Sequence, residues 1–353
     1  MMIVRRLTQN INIGNVGCGH LYPITIQSMT DTDTENVEAT LSQIERLAKA
    51  GCEIVRVAVP DEEAGKALGK IVTRSAIPVI ADIHFDYKLA LQALESGVDG
   101  LRINPGNIGA AWKVRQVVKE AKERKIPIRI GVNGGSLEKS IVEKYNGPSA
   151  QGMVESALIH VHLLEELDFD LIKLSLKSSN VPMMLEATRK IAKLTPYPLH
   201  LGVTEAGLPK AGAIKSSIGI GILLSEGIGD TIRVSLTGDP VQEVIVAKEI
   251  LRTLGLAKRG VEIISCPTCG RCKIDLYSLA RKVEEKLVNI DFPLKVAVMG
   301  CAVNGPGEAR EADVGVAGGK GEGLLFAKGE IIRKVPEDEL VQALWEEIEK
   351  IVK

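Results

Sequence analysis

Residues 20–256 repeat one pattern eight times: a short β-branched run followed by an amphipathic helical stretch. The strand candidates are residues 22–29, 53–59, 79–85, 100–105, 128–133, 171–177, 199–205 and 231–237. Residues 35–50 show the helical half most clearly, with Val37, Leu41, Ile44 and Leu47 on one stripe. Gly51, Gly97 and Gly227 stand where helices must stop before the next strand. Eight such units in about 240 residues match the size of a (β/α)8 barrel of the TIM type. A doubly wound open sheet is the alternative. The even repeat, with no glycine-rich fingerprint after the first strand, favours the barrel.

The strands alternate, and their polar face is cationic. In residues 231–237, Ile232, Val234 and Leu236 share one face, and Thr231, Arg233 and Ser235 share the other. Lys173, Ser175 and Lys177 alternate with Ile172, Leu174 and Leu176. Arg56, Arg102 with Asn104, and Arg129 with Asn133 repeat the theme. In a barrel the apolar face packs on the outer helices, so this polar set points inward. An unpaired buried cation is costly, and an anion must be supplied. Asp82 and Glu205 offer part of it. The excess points to a phosphate-bearing ligand, held at the C-terminal ends of the strands, where barrel sites lie. Internal salt bridges, or strand arginines that face solvent, are the alternative. Glu205 ends the seventh strand beside this ring, as a general acid or base or as a counter-ion.

A second, smaller α+β domain is expected over residues 259–353, after a barrel domain of residues 1–258. Its strands are read at 261–265, 294–299, 313–317, 322–328 and 331–335, with helices at 275–290 and 337–352. Four of the six cysteines lie here: Cys266, Cys269, Cys272 and Cys301. Cys266-x2-Cys269 is a chelating turn, and Cys301 opens a Gly-Pro-Gly loop after a strand. Such grouping suggests a metal before disulfides. Spacing alone leaves open a four-cysteine zinc site and an iron–sulfur cluster on cysteines with or without a carboxylate such as Glu308.

Charge excludes little by itself but narrows the partners. Lys and Arg number 44 against 45 Asp and Glu, a net of −1, and aromatics make up 3%. Neither a nucleic-acid surface nor an anionic membrane is suggested. No apolar run approaches membrane-spanning length, and the N-terminus has no secretory h-region, so a cytoplasmic protein is expected.

Several segments carry a family resemblance: QSMTDTDT at 27–34, DIHFDYKLAL at 82–91, RINPGNIG at 102–109, IRIGVNGGSLE at 128–138, KLSLKSSNV at 173–181, HLGVTEAG at 200–207, SCPTCGR at 265–271 and GCAVNGPGEAREAD at 300–313. With KSSIGIGILLSEGIGDTIRVSLTGDP at 215–240, they cover nearly the whole chain. The chain resembles the 4-hydroxy-3-methylbut-2-enyl diphosphate synthases of the methylerythritol phosphate route, in their compact bacterial form.

The resemblance implies a TIM-type barrel followed by an α+β iron–sulfur domain like half of a sulfite or nitrite reductase. It implies a [4Fe–4S] cluster on Cys266, Cys269, Cys301 and Glu308, with Cys272 a bystander. It implies reductive ring opening of 2-C-methyl-D-erythritol 2,4-cyclodiphosphate, with single electrons from ferredoxin or flavodoxin. Arg56, Arg102, Arg129, Asn133, Lys173, Lys177, Arg233 and Ser235 become the diphosphate clamp. Asn304 becomes a further substrate contact, Glu205 with Thr204 the proton donor, and Glu308 a displaceable ligand. A homodimer is implied, the cluster domain of one subunit capping the barrel of the other.

Overall fold

The computed structural model describes residues 3–104, 108–257, 260–287, 290, 292–301 and 309–352. The chain divides into two compact units, Met1–Leu256 and Ala257–Lys353.

The first unit is a closed parallel barrel. Its strands are β3 (Thr25–Met29), β4 (Ile54–Ala58), β5 (Val79–Asp82), β6 (Gly100–Ile103), β7 (Ile128–Asn133), β8 (Ile172–Lys177), β9 (His200–Leu201) and β10 (Thr231–Ile232). They pair in the order β8-β7-β6-β5-β4-β3-β10-β9, and a parallel bridge between Leu174 and Leu199 joins β8 to β9. The open-sheet alternative is thereby excluded. Strand residues that point outward, among them Val55, Val57, Ile103, Ile130 and Leu174, are fully buried under the helices.

Local sequence explains the helix ends. Asn36, Asp61, Asp86, Ser149, Asn180 and Asp239 each accept a backbone N–H of the first turn of the following helix. Gly51 ends the helix Val37–Ala50 at φ 104°, a left-handed conformation that a side chain would strain.

Two features depart from the sequence reading. A short antiparallel hairpin, β1 (Ile11–Ile13) with β2 (Val16–Cys18), precedes the barrel. Its Ile11, Ile13 and Cys18 pack on Ile54 and Ile80, near the N-terminal ends of their strands, and close that end. The last two barrel strands are also shorter than residues 199–205 and 231–237. Each keeps only a two-residue ladder before the chain leaves the sheet. Glu205 adopts φ 52° there, which no strand can continue through.

The second unit is a five-stranded mixed sheet in the order β11 (Val261–Ser265), β12 (Leu294–Met299), β13 (Val314–Gly318), β14 (Glu322–Ala327) and β15 (Glu330–Pro336). β11, β12 and β13 run parallel, and β13, β14 and β15 antiparallel. Helices Leu276–Leu287 and Leu340–Val352 cover it, with Val283, Leu287, Leu340, Leu344 and Ile348 in its core.

Candidate active site at the barrel mouth

Period-two alternation places the polar strand residues inside the barrel. Arg56, Arg102, Arg129, Lys173 and Lys177 are all buried; Arg129 and Lys173 are each 2% exposed. Two glycines make room for them. A Cβ at Gly131 would lie 2.7 Å from Arg102 Nε, and one at Gly202 would lie 2.8 Å from Lys177 Nζ.

Asp82 is the hub of one side. Its carboxylate faces Arg56 Nε at 3.4 Å, Arg102 Nη1 at 3.3 Å and His84 Nε2 at 3.5 Å. Burial alone would raise this carboxyl, but Arg56 foremost, with His84, Arg102 and Arg129, holds it well below the usual range. Glu243 is the hub of the other side. It reaches in from helix Pro240–Thr253 and accepts from Arg233 Nε at 3.1 Å.

These two carboxylates do not neutralise the cations around them. Arg129 Nε and Nη1 and Lys173 Nζ have no hydrogen-bond partner among the described residues. Burial, then repulsion from Arg56 and Arg102, pulls Arg129 far down. Burial and the same arginine ring, led by Arg129, do so for Lys177. A guanidinium does not release its proton at such a site, so the ring is a favourable place for an anion. The thioether of Met29 accepts from Arg56 Nη2 at 2.9 Å, a weak acceptor where a phosphate oxygen would be a strong one.

A cavity of about 340 Å³ opens above this ring. Arg102, Asn133, Thr204 and Glu205 line it, together with His84, Phe85, Asn104, Gly135, Ser136 and Ser179. Glu205 is exposed to it from its left-handed backbone position, a conformation that costs a non-glycine residue about 1 kcal/mol and recurs at functional sites. A larger cavity of about 430 Å³ lies in the second unit, but it is rimmed by Asp275, Glu337 and Asp338 and carries no cationic ring.

The sequence-predicted residues thus divide by depth. Arg102, Asn133, Thr204 and Glu205 line the cavity. Arg56, Arg129, Lys177 and Arg233 lie close enough to repel one another beneath it. Ser235 follows Arg233 past the end of β10. Lys173 sits four positions before Lys177 on β8, near the neutral thiol of Cys18 and the carboxylate of Asp230. Sequence reasoning missed Glu243, and it left out His84, a candidate, because a lone strand histidine is more often a hydrogen-bonded core residue. Glu243 had a signal: it falls on the helix's buried stripe with Pro240, Val244, Ala247 and Leu251. His84 also had one, since it alternates with Asp82.

In the second unit, Cys266 follows β11 and Cys301 stands two residues past β12. Ser265 pairs with Val298, so both cysteines leave neighbouring parallel strand ends. The Gly300 N–H donates to Cys266 Sγ at 3.2 Å. Cys269 is exposed, and its thiol is lowered by hydrogen bonds from Arg271, the backbone N–H first. Cys272 Sγ donates to the Ile274 carbonyl at 3.3 Å. No three potential metal ligands converge among the described residues. Glu308 and Asn304 lie outside them.

The sequence matches two family models, the GcpE TIM-barrel domain over residues 8–248 and the GcpE protein C-terminal domain over residues 262–350. The chain belongs to the GcpE family of 4-hydroxy-3-methylbut-2-en-1-yl diphosphate synthases. Relatives so named, each with flavodoxin in parentheses, include those of Geobacter sulfurreducens, 62% identical over 98% of both chains, and Thermodesulfovibrio yellowstonii, 61% identical over 99% of this chain and 100% of that one. This GcpE-family barrel also has distant likenesses. It matches 3-dehydroquinate dehydratase from Geobacillus kaustophilus at a TM-score of 0.51 and 14% identity, over 72% of this chain and 100% of that one. At that identity the likeness speaks to the barrel fold alone.

Proposed function

We propose that this chain reduces 2-C-methyl-D-erythritol 2,4-cyclodiphosphate to (E)-4-hydroxy-3-methylbut-2-enyl diphosphate, with residues 1–258 binding the substrate and residues 259–353 holding a [4Fe–4S] cluster. It is an oxidoreductase of isoprenoid precursor synthesis. The observation that carries the reading is the buried cationic ring, short of anions, opening on a cavity that contains Glu205.

The cluster residues are Cys266, Cys269, Cys301 and Glu308. The donor chemistry fits: soft thiolates suit iron, and a carboxylate is the weaker fourth ligand. A backbone N–H on Cys266 and a lowered Cys269 thiol favour the ligating thiolate form. Cys272, spending its S–H on Ile274, stays outside the set. When bound, such a cluster supplies electrons one at a time and a Lewis-acidic iron.

The chain's own residues do the rest. Arg56, Arg102, Arg129, Lys177 and Arg233 hold the diphosphate, with Asn133 and Ser235 as neutral donors and Lys173 as a deeper charge. Asn304 adds a contact at the substrate. Glu205, beside Thr204, delivers a proton to the departing hydroxyl oxygen, which leaves as water. Two electrons enter as the ring C–O bond and the hydroxyl C–O bond break. Flavodoxin is the donor this reading favours, from the relatives' names, and ferredoxin is the other. A cytoplasmic homodimer completes the reading, the cluster domain of one subunit capping the barrel of the other; no helix is long and apolar enough to cross a membrane among the described residues.

The test is anaerobic turnover of the cyclic diphosphate with reduced flavodoxin. The linear allylic diphosphate is the expected product, and Glu205→Gln is expected to lower kcat at least about 100-fold with KM near wild type. A folded, iron-loaded protein that forms no product overturns the reading.

A further inference from the structure

Glu243 is a carboxylate of the barrel interior that neither substrate binding nor proton transfer accounts for, and every group it meets is a donor. It is 3% exposed and comes from a helix, not a strand. Its Oε2 accepts from Ser28 Oγ at 3.1 Å and from Arg233 Nε at 3.1 Å. Its Oε1 accepts from Arg233 Nη2 at 3.3 Å and from the Leu236 backbone N–H at 3.0 Å. Four donors thus converge on two oxygens.

We propose that Glu243 is the positioning residue that aims Arg233 and fixes the 233–236 segment for recognition of the substrate's diphosphate. The inference rests on the proposed function and deepens it. The carboxylate takes the Nε–Nη2 edge of the guanidinium, so Arg233 cannot rotate about its long side chain, and its Nη1–Nη2 edge is left for a ligand, with Nη1 meeting the weakly accepting Met29 thioether at 3.7 Å. Holding the Leu236 N–H fixes the backbone that carries Ser235, just where β10 has lost its ladder. A helix residue therefore does the work that sheet hydrogen bonds do elsewhere in the barrel. Glutamine cannot replace it. Its NH2 is a donor: at the Oε1 position it would face the Arg233 Nη2 and Leu236 N–H donors, and at the Oε2 position Ser28 Oγ could turn to accept from it but Arg233 Nε could not.

The test is steady-state kinetics of the full-length, iron-loaded enzyme on the cyclic diphosphate. Glu243→Gln is expected to raise KM about tenfold with kcat within about twofold, because the arginine holds the diphosphate alike in ground and transition states. In an Arg233→Ala background the same substitution is expected to add nothing to KM. Glu243→Asp keeps both acceptors but sets them back by one methylene, so it is expected to raise KM only about threefold; if the Gln variant does not fold, this rise is the probe, and its absence overturns the proposal. An unchanged KM in Glu243→Gln, or an equal rise in the Arg233→Ala background, overturns the proposal. Failure of the wild-type enzyme to turn over the cyclic diphosphate at all would instead overturn the proposed function.

Discussion

At the scale of single residues, the barrel interior is a place where charge is held against its own preference. Lys173 shows this most simply. Burial, followed by repulsion from Arg129 and Arg56 and opposed by Cys18 and Asp230, lowers its ammonium to about 8. The folded pKa lies below the unfolded one, so keeping this lysine charged destabilises the fold. That penalty is fully present below pH about 8 and fades as pH rises toward the unfolded value near 10.4. Lys173→Met is therefore expected to stabilise the ligand-free protein at pH 7 by about 3 kcal/mol, the gain shrinking toward pH 10. Chemical denaturation at several pH values measures it, and a loss of stability at pH 7 would show that a hidden anion already satisfies the lysine. The cations themselves were legible from alternation, because a strand has only two faces. What alternation does not reveal is the carboxylate that orients them: Glu243 belongs to a helix, and only its place on a buried stripe marks it.

At the scale of elements, the site exists because strands end at different heights. β9 and β10 stop after two residues; the chain beyond β9 carries Thr204 and Glu205 to the cavity, and the chain beyond β10 carries Arg233 and then Ser235. The sequence reads as full strands there because apolar and polar residues still alternate. What the pattern does not encode is backbone conformation, as at the left-handed Glu205 beyond β9. The N-terminal hairpin escaped for a related reason: three-residue strands are too short for a period to show. Gly202 marks how tightly this end is packed. A Cβ there would lie 2.6 Å from the Arg233 carbonyl oxygen as well as against Lys177. Backbone cannot yield as a side chain does, so Gly202→Ala is expected to destabilise by about 1–3 kcal/mol and to raise KM for the cyclic diphosphate about tenfold. Denaturant midpoints and kinetics read the two effects separately, and a silent substitution would mean that Lys177 has room the geometry does not show.

At the scale of the molecule, the proposed function draws on both units, the barrel for anion recognition and the second unit for thiols. The barrel was readable from eight repeats. Cysteines alone count four thiolates and leave zinc open; the proposal takes Glu308 in place of Cys272 from the family resemblance. If the cluster domain of one subunit serves the barrel of the other, two broken chains can repair each other. A mixture of Cys266→Ser and Glu205→Gln subunits, unfolded and refolded or coexpressed, is expected to recover about a quarter of wild-type activity, since random pairing makes half the dimers mixed and each has one intact site. Activity no greater than that of the two variants apart would mean that each subunit serves itself.

The most direct measurement is iron, sulfide and zinc analysis of anaerobically purified protein, with electron paramagnetic resonance of the reduced form before and after the cyclic diphosphate is added. A cluster-bearing synthase should show about four irons and four sulfides per chain, no stoichiometric zinc, and a spectrum that changes when the substrate binds. Stoichiometric zinc without iron, or a cluster spectrum indifferent to a substrate that the barrel demonstrably binds, would contradict it.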